Sequence, residues 1–183
     1  MKTIKETKLN TISSLTNTHM TKLLPQELSI YSKKEYQKCP HITKCSKSYG
    51  FVYLMICDTA QCKIGITQNL YQRLQQINRQ LIPSKTKIMY LYASPLCMNT
   101  LDIEKNFKEY FKNYNISGND SKHEWFDKAY IDLYLEYLNN SYFDFNFPSS
   151  QQIEKEIENI HKFANIIFSN YMENPVPSNN DYN

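Results

Sequence analysis

Glycine is nearly missing from this chain, with three residues in 183. Phosphate-cradling loops of the Walker or dinucleotide type need several glycines close together, so both are excluded. Arginine is scarcer still, present only as Arg73 and Arg79. No run approaches the roughly 20 apolar residues of a membrane span, and the mean hydropathy is −0.60. A membrane protein is not expected. Residues 1–25 hold lysines but no continuous apolar segment, so no secretory signal is expected either. The five cysteines, Cys39, Cys45, Cys57, Cys62 and Cys97, are odd in number and show no disulfide spacing. That pattern points to a reducing compartment, cytoplasmic or nuclear. Acidic residues are absent from 59 to 101, where Lys63, Arg73, Arg79, Lys85 and Lys87 all fall. Such a stretch suits contact with a polyanion, or simply a solvated basic face.

What is present suffices for one core: 41% of the residues are apolar and 21% are charged. The net charge of +3 hides a gradient, with a local +6 over residues 1–49, +1 over 50–140 and −4 over 141–183. Three segments follow. Residues 1–49 read as a basic arm, polar as far as 24, with a short helix from Pro25 towards Lys38. Residues 50–140 read as the functional domain. Residues 141–183 read as a linker, an amphipathic helix over about 151–172 and a polar tail. The apolar spacing of that helix, Ile153, Ile157, Ile160, Ala164, Ile167 and Tyr171, alternates between four and three residues. It suits folding back on the domain, or pairing with a second copy or a protein partner.

Within the middle segment, Phe51–Cys57 is a β-branched and aromatic run that predicts a strand, and Lys63–Thr67 predicts its returning partner. Asn69 is a good N-cap for a helix with Leu70, Leu74, Ile77 and Leu81 on one stripe, stopped by Pro83. Lys87–Tyr92 predicts a third strand. Asn99 or Thr100 opens a helix whose buried stripe is expected to hold Ile103, Phe107, Tyr110, Phe111 and Tyr114. Gly118–Lys122 reads as a loop, and a helix from about Lys128 to Leu138 follows. The order β-β-α-β-α-α predicts a small α+β domain: a three-stranded antiparallel sheet flanked by helices, plus the extra C-terminal helix.

Strand alternation places chemistry on one face. Val52, Leu54 and Ile56 with Ile64 and Ile66 form the aliphatic face of the hairpin, which leaves Tyr53, Lys63, Gly65 and Thr67 together on the other. A lysine beside a tyrosine lowers the phenol pKa from about 10, and the glycine leaves room for an approach. By spacing alone, the plainer reading is an exposed strand face that carries a Tyr and a Lys of no function. Arg73 lies beside the apolar stripe of the first helix, and Glu104 at the edge of the next.

These residues, in this order, resemble the GIY-YIG nuclease superfamily: Phe51-Val52-Tyr53, then Lys63-Ile64-Gly65, then Arg73, Glu104 and Glu124-Trp125-Phe126. The last tripeptide resembles the branch common in phages, large viruses and bacteria. The resemblance covers about residues 50–128. It implies a metal-dependent endonuclease acting on double-stranded DNA. Tyr53, Lys63, Arg73 and Glu104 would be catalytic, Glu104 would hold Mg²⁺ or Mn²⁺, and Gly65, Thr67, Arg79, Lys85 and Lys87 would face the substrate. In the implied mechanism Tyr53, its pKa lowered by Lys63 and the metal, is the general base, and Arg73 holds the phosphate. Glu124-Trp125-Phe126 is expected to be structural, with Trp125 in the core. A non-catalytic nucleic-acid-binding module, or an interaction protein built around the last helix, remains the alternative. Cys39, His41 and Cys45, with His123 as a fourth, are weak candidates for zinc, because the paired ligand spacing is absent.

Overall fold

A computed structural model describes residues 19–45, 48–117 and 124–173, with side chains to 169. Residues 1–18 and 46–47 of the basic arm, the Gly118–Lys122 loop, His123 and the polar tail lie outside the described residues. The chain divides into two units, Met1–Cys39 with Lys47–Asn146, and Pro40–Ser46 with Phe147–Asn183.

The larger unit is α+β, as expected, but its antiparallel sheet has five strands and not three. They are β1 (Thr21–Leu23), β2 (Phe51–Cys57), β3 (Gln61–Thr67), β4 (Ile88–Ala93) and β5 (Trp125–Asp127), in the order β1-β4-β2-β3-β5. The two extra strands are three-residue edges, too short to show a period of two in the sequence. Pairing recruits them: Leu23 sits opposite Leu91, and Phe126 opposite Cys62. The central hairpin sets Tyr53 opposite Gly65 and Met55 opposite Lys63, which puts Tyr53, Lys63 and Gly65 on one face as the alternation predicts.

The helices are α1 (Leu28–Gln37), α2 (Leu70–Leu81), α3 (Thr100–Tyr110) and α4 (Ile131–Asn139). Pro25 opens a 3-10 turn that leads into α1. The Asn69 side chain caps α2 by accepting from the Gln72 N–H at 3.0 Å. Asn99 precedes α3 but leaves it uncapped. Its side chain instead ties down the 142–144 segment, donating to the Tyr142 carbonyl and accepting from the Asp144 N–H, both at 2.8 Å.

Both faces of the sheet are covered, so all seven residues of β2 are buried. On one face Val52, Leu54, Ile56, Cys62 and Ile64 join Ile103 and Phe107 of α3, Phe111 at its C-terminal cap, and Tyr134 and Leu138 of α4. Phe107 and Phe111 meet Tyr134 with centroids 5.5 and 4.8 Å apart, within the range of favourable tilted contacts. Tyr110, expected in that stripe, is 66% exposed and lies outside the core. The opposite face carries Phe51, Tyr53, Met55 and Lys63 beneath α1 and α2. Tyr31 and Tyr36 of α1 lie against Phe51, and Arg73 of α2 reaches Tyr53.

In the smaller unit the longest helix is α5 (Ser150–Glu173). Ile153 is buried, whereas residues 158–169 are exposed, Ile160, Phe163, Ile166, Ile167 and Phe168 among them. Among the described residues no helix is long and apolar enough to cross a membrane.

Candidate active site

Tyr53 is fully buried, and its Oη accepts a hydrogen bond from Arg73 Nε at 2.9 Å. The position opposite has to be glycine. A Cβ on residue 65 would stand 2.5 Å from Tyr53 Cζ and 3.1 Å from Cε1, where real side chains do not approach. Gly65 therefore lets the Tyr53 ring lie flat across β3 and reach α2. The glycine was expected to leave room for a substrate; the room is taken by the tyrosine.

Lys63, one alternation earlier on β3, is 5% exposed. Its ammonium pairs with Glu124 Oε2 and stands 4.9 Å from the centroid of the Trp125 ring. Strand pairing sets this up: β5 places Trp125 opposite Lys63 and Phe126 opposite Cys62. Phe126 therefore takes the core position expected for Trp125, and Trp125 lines the site half-exposed. The other oxygen of Glu124 lies 3.7 Å from Lys108 Nζ, which also pairs with Glu104 Oε1 at 3.0 Å. The pairing of β5 with β3 closes on the Ile64 N–H, which donates to the Glu124 carbonyl at 3.1 Å, and so sets the Glu124 carboxylate beside Lys63 and near Lys108 of α3.

The site thus gathers three cations (Lys63, Arg73, Lys108) and two carboxylates (Glu104, Glu124), one positive charge in excess. Burial moves the ionisations. The Tyr53 phenol is pushed up to about 12, by desolvation first, with Glu124 and Glu104 adding to the rise and Arg73 opposing it. The sequence reading expected the reverse, a phenol lowered by Lys63. It fails because the ring is buried and Lys63 is engaged by Glu124. Burial also lowers the Lys63 pKa, against the pull of Glu124. For Glu124 burial would raise the pKa, but Lys63, Lys108 and Arg73 outweigh it and hold the carboxyl below its usual range.

Tyr53, Lys63, Gly65, Arg73 and Glu104 are brought together, and Thr67 lies at the same end of β3. Thr67 serves the turn into α2: its Oγ1 accepts from the Asn69 N–H at 3.0 Å and donates to the Asn69 carbonyl at 3.1 Å. Arg79 is exposed two turns further along α2. Lys85 and Lys87 are exposed at the far end of the sheet, where the Lys87 N–H meets Asp58 Oδ1 at 2.9 Å beside the hairpin turn. From Tyr53 to that turn is about 16 Å along β2. The acid-free stretch is therefore not one surface, and Lys63 is not on the surface at all. Residues close in sequence are separated here by helix rotation and strand length.

Glu124 and Lys108 are site residues that the sequence reading missed. A signal for Lys108 exists, since it follows Glu104 by four residues on a helix, a spacing that pairs opposite charges. For Glu124 the only signal is its place in the Glu124-Trp125-Phe126 motif, because its partner is 61 residues away.

A divalent ion fits the donor set. Glu104 is partly accessible, with 14% of its side chain exposed, and the single Lys108 ammonium that touches both carboxylates keeps their oxygens within reach of one another. Mg²⁺ binds through one or two carboxylates and retains most of its waters, so it needs no cage. Among the described residues no group of three His, Cys, Asp or Glu gathers to form one, at Cys39, His41 and Cys45 or elsewhere.

The family of the T5orf172 domain matches residues 50–161, more than half of the chain and all of this site. No curated protein and no solved structure matches the chain.

Proposed function

The chain belongs to the T5orf172 domain family, and we propose that it is a metal-dependent endonuclease that hydrolyses DNA phosphodiester bonds by a GIY-YIG-type, single-metal mechanism. Membership of a phage-derived, nuclease-related family supports the reading. The observation that carries it is the convergence of Tyr53, Arg73, Lys63 and Glu104 from two strands and two helices on one end of β3.

The excess positive charge of the site matches one phosphodiester. Arg73 directs Nε to Tyr53 and Nη1 to Gln76 Oε1 at 3.3 Å. Its remaining donors can hold a phosphate oxygen and stabilise the charge of the pentacovalent transition state. Tyr53, fixed by Gly65 and Arg73, positions the attacking water through Oη. With its pKa near 12 it is a neutral phenol at pH 7, so it must first release its own proton to solvent, and the resulting phenolate then takes one from the attacking water. The water oxygen bonds to phosphorus as the bond to the leaving sugar oxygen breaks. Lys63 and Trp125 hold Glu124 and the β3 edge in register. Mg²⁺ or Mn²⁺ held by Glu104 supplies, when bound, positive charge to the scissile phosphate and the leaving oxygen.

One observation favours a second reading, a nucleic-acid-binding module without cleavage: both carboxylates are already neutralised by lysines. A plasmid assay separates the two. Wild type and Glu104→Ala are incubated with supercoiled DNA and Mg²⁺, Mn²⁺ or EDTA. Metal-dependent nicking or linearisation in wild type, lost in Glu104→Ala with DNA binding retained, is expected. Equal cleavage by both proteins would refute the assignment of Glu104. Salt-sensitive binding without cleavage in either would favour the second reading.

A further inference from the structure

Lys108 adds only its charge to the chemistry described so far, yet its ammonium lies 3.0 Å from Glu104 Oε1 and 3.7 Å from Glu124 Oε1. We propose that Lys108 is a tethered competitor for the metal: its ammonium holds Glu104 in the metal-free protein and must leave before a divalent cation binds there. The inference rests on the proposal that Glu104 is the metal ligand.

One carboxylate cannot hold an ammonium and a metal ion in the same place. A divalent ion bonds a carboxylate oxygen at about 2.1 Å. An ammonium 3.0 Å from the same carboxylate repels such an ion strongly. The two cations therefore compete, and by linkage each lowers the affinity of the site for the other.

Lys108 is also able to move. Its side chain is 24% exposed on the outer flank of α3, and its long stem can swing the ammonium into solvent. Lys63 contrasts with it: 6% exposed, held by Glu124 and stacked on Trp125, it has no such exit. Once Lys108 leaves, Glu124 keeps Lys63 as its partner, so only Glu104 is released. The fold thereby keeps a carboxylate neutralised without metal and frees it on demand.

The test is metal binding to the full chain, read by Mn²⁺ electron paramagnetic resonance in the absence of DNA. The variants are Lys108→Met, Lys108→Arg, Lys105→Met and Glu104→Gln. Lys105 is exposed one residue from Glu104, so Lys105→Met removes the same net charge without touching the carboxylate pair. Removing the competitor should tighten Mn²⁺ by about fivefold or more in Lys108→Met, the equivalent of a well-formed ion pair. Lys108→Arg and Lys105→Met should stay near wild type. Equal tightening in Lys108→Met and Lys105→Met would overturn the proposal, because the effect would then be bulk charge. Unchanged affinity in Lys108→Met, with binding still lost in Glu104→Gln, would overturn it while leaving Glu104 as the ligand. Binding that survives Glu104→Gln would overturn both.

Discussion

Gly65→Ala is the smallest change that tests the architecture of the site. An added Cβ would lie 2.5 Å from Tyr53 Cζ, about 1 Å inside an ordinary contact of roughly 3.5 Å. The Tyr53 ring is fully buried, with Arg73 at its hydroxyl and Ala93 opposite it on β4, so it has little space to yield. Overpacking of this kind costs about 1–3 kcal/mol. If the ring moves instead, its hydrogen bond from the Arg73 guanidinium is lost, at about 1.5–3 kcal/mol. Alanine recovers about 0.5–1 kcal/mol of chain entropy relative to glycine. The net expectation by either route is a destabilisation of ~2 kcal/mol, appreciable against the stability of about 5–15 kcal/mol of a typical domain. Urea unfolding followed by the fluorescence of Trp125, the one tryptophan, measures it. The control is the Tyr53→Leu background, where no ring crosses residue 65 and Gly65→Ala should cost less than about 1 kcal/mol. A cost below 1 kcal/mol in the wild-type background, or the same cost in both, would refute the reasoning. Cleavage should fall with the displaced phenol even where the protein stays folded.

Two further outcomes are expected. Glu124→Gln leaves the nearly buried Lys63 ammonium without its carboxylate and should cost about 3 kcal/mol. Lys63→Met with Glu124→Gln should be more stable than Glu124→Gln alone, and a double-mutant cycle in urea checks this; strict additivity would count against a coupled pair. The folded-state pKa of Tyr53, raised to about 12 from an unfolded value near 10, makes its contribution to stability complete below pH 10 and lost as the pH climbs towards 12. At about 1.4 kcal/mol per unit this amounts to ~3 kcal/mol. Tyr53→Phe should remove that part of the alkaline slope, and an unchanged slope would show that the phenol is not shifted by burial.

The comparison of sequence with structure turns on particular residues. β2, the core of β3, α2 and its Asn69 cap are legible because their signals are local: alternation, a 3.6-residue stripe and a capping side chain that bonds three residues ahead. The shared face of Tyr53, Lys63 and Gly65 follows from the same alternation. β1 and β5 are not legible, since three residues carry no period and only long-range pairing makes them strands. Tyr110 shows the limit of a stripe: a position at its margin turns to solvent when the facing helix is placed. The basic stretch from 59 to 101 shows another limit, because sequence proximity says nothing of which side of the molecule a charge reaches.

The sequence by itself determined the central hairpin, the helices that follow it and which side chains share the face of Tyr53, because these depend on spacing along a single chain. Tertiary structure alone decided the electrostatics of the site. Covering that face with α1 and α2 removed water from Tyr53 and raised its pKa, where the sequence argued for a lower one. Pairing β5 with β3 brought Glu124 beside Lys63 and near Lys108, joining residues far apart in the chain. Desolvation and charge contact depend on what lies within a few ångströms, and folding sets that distance between residues that the sequence holds dozens of positions apart.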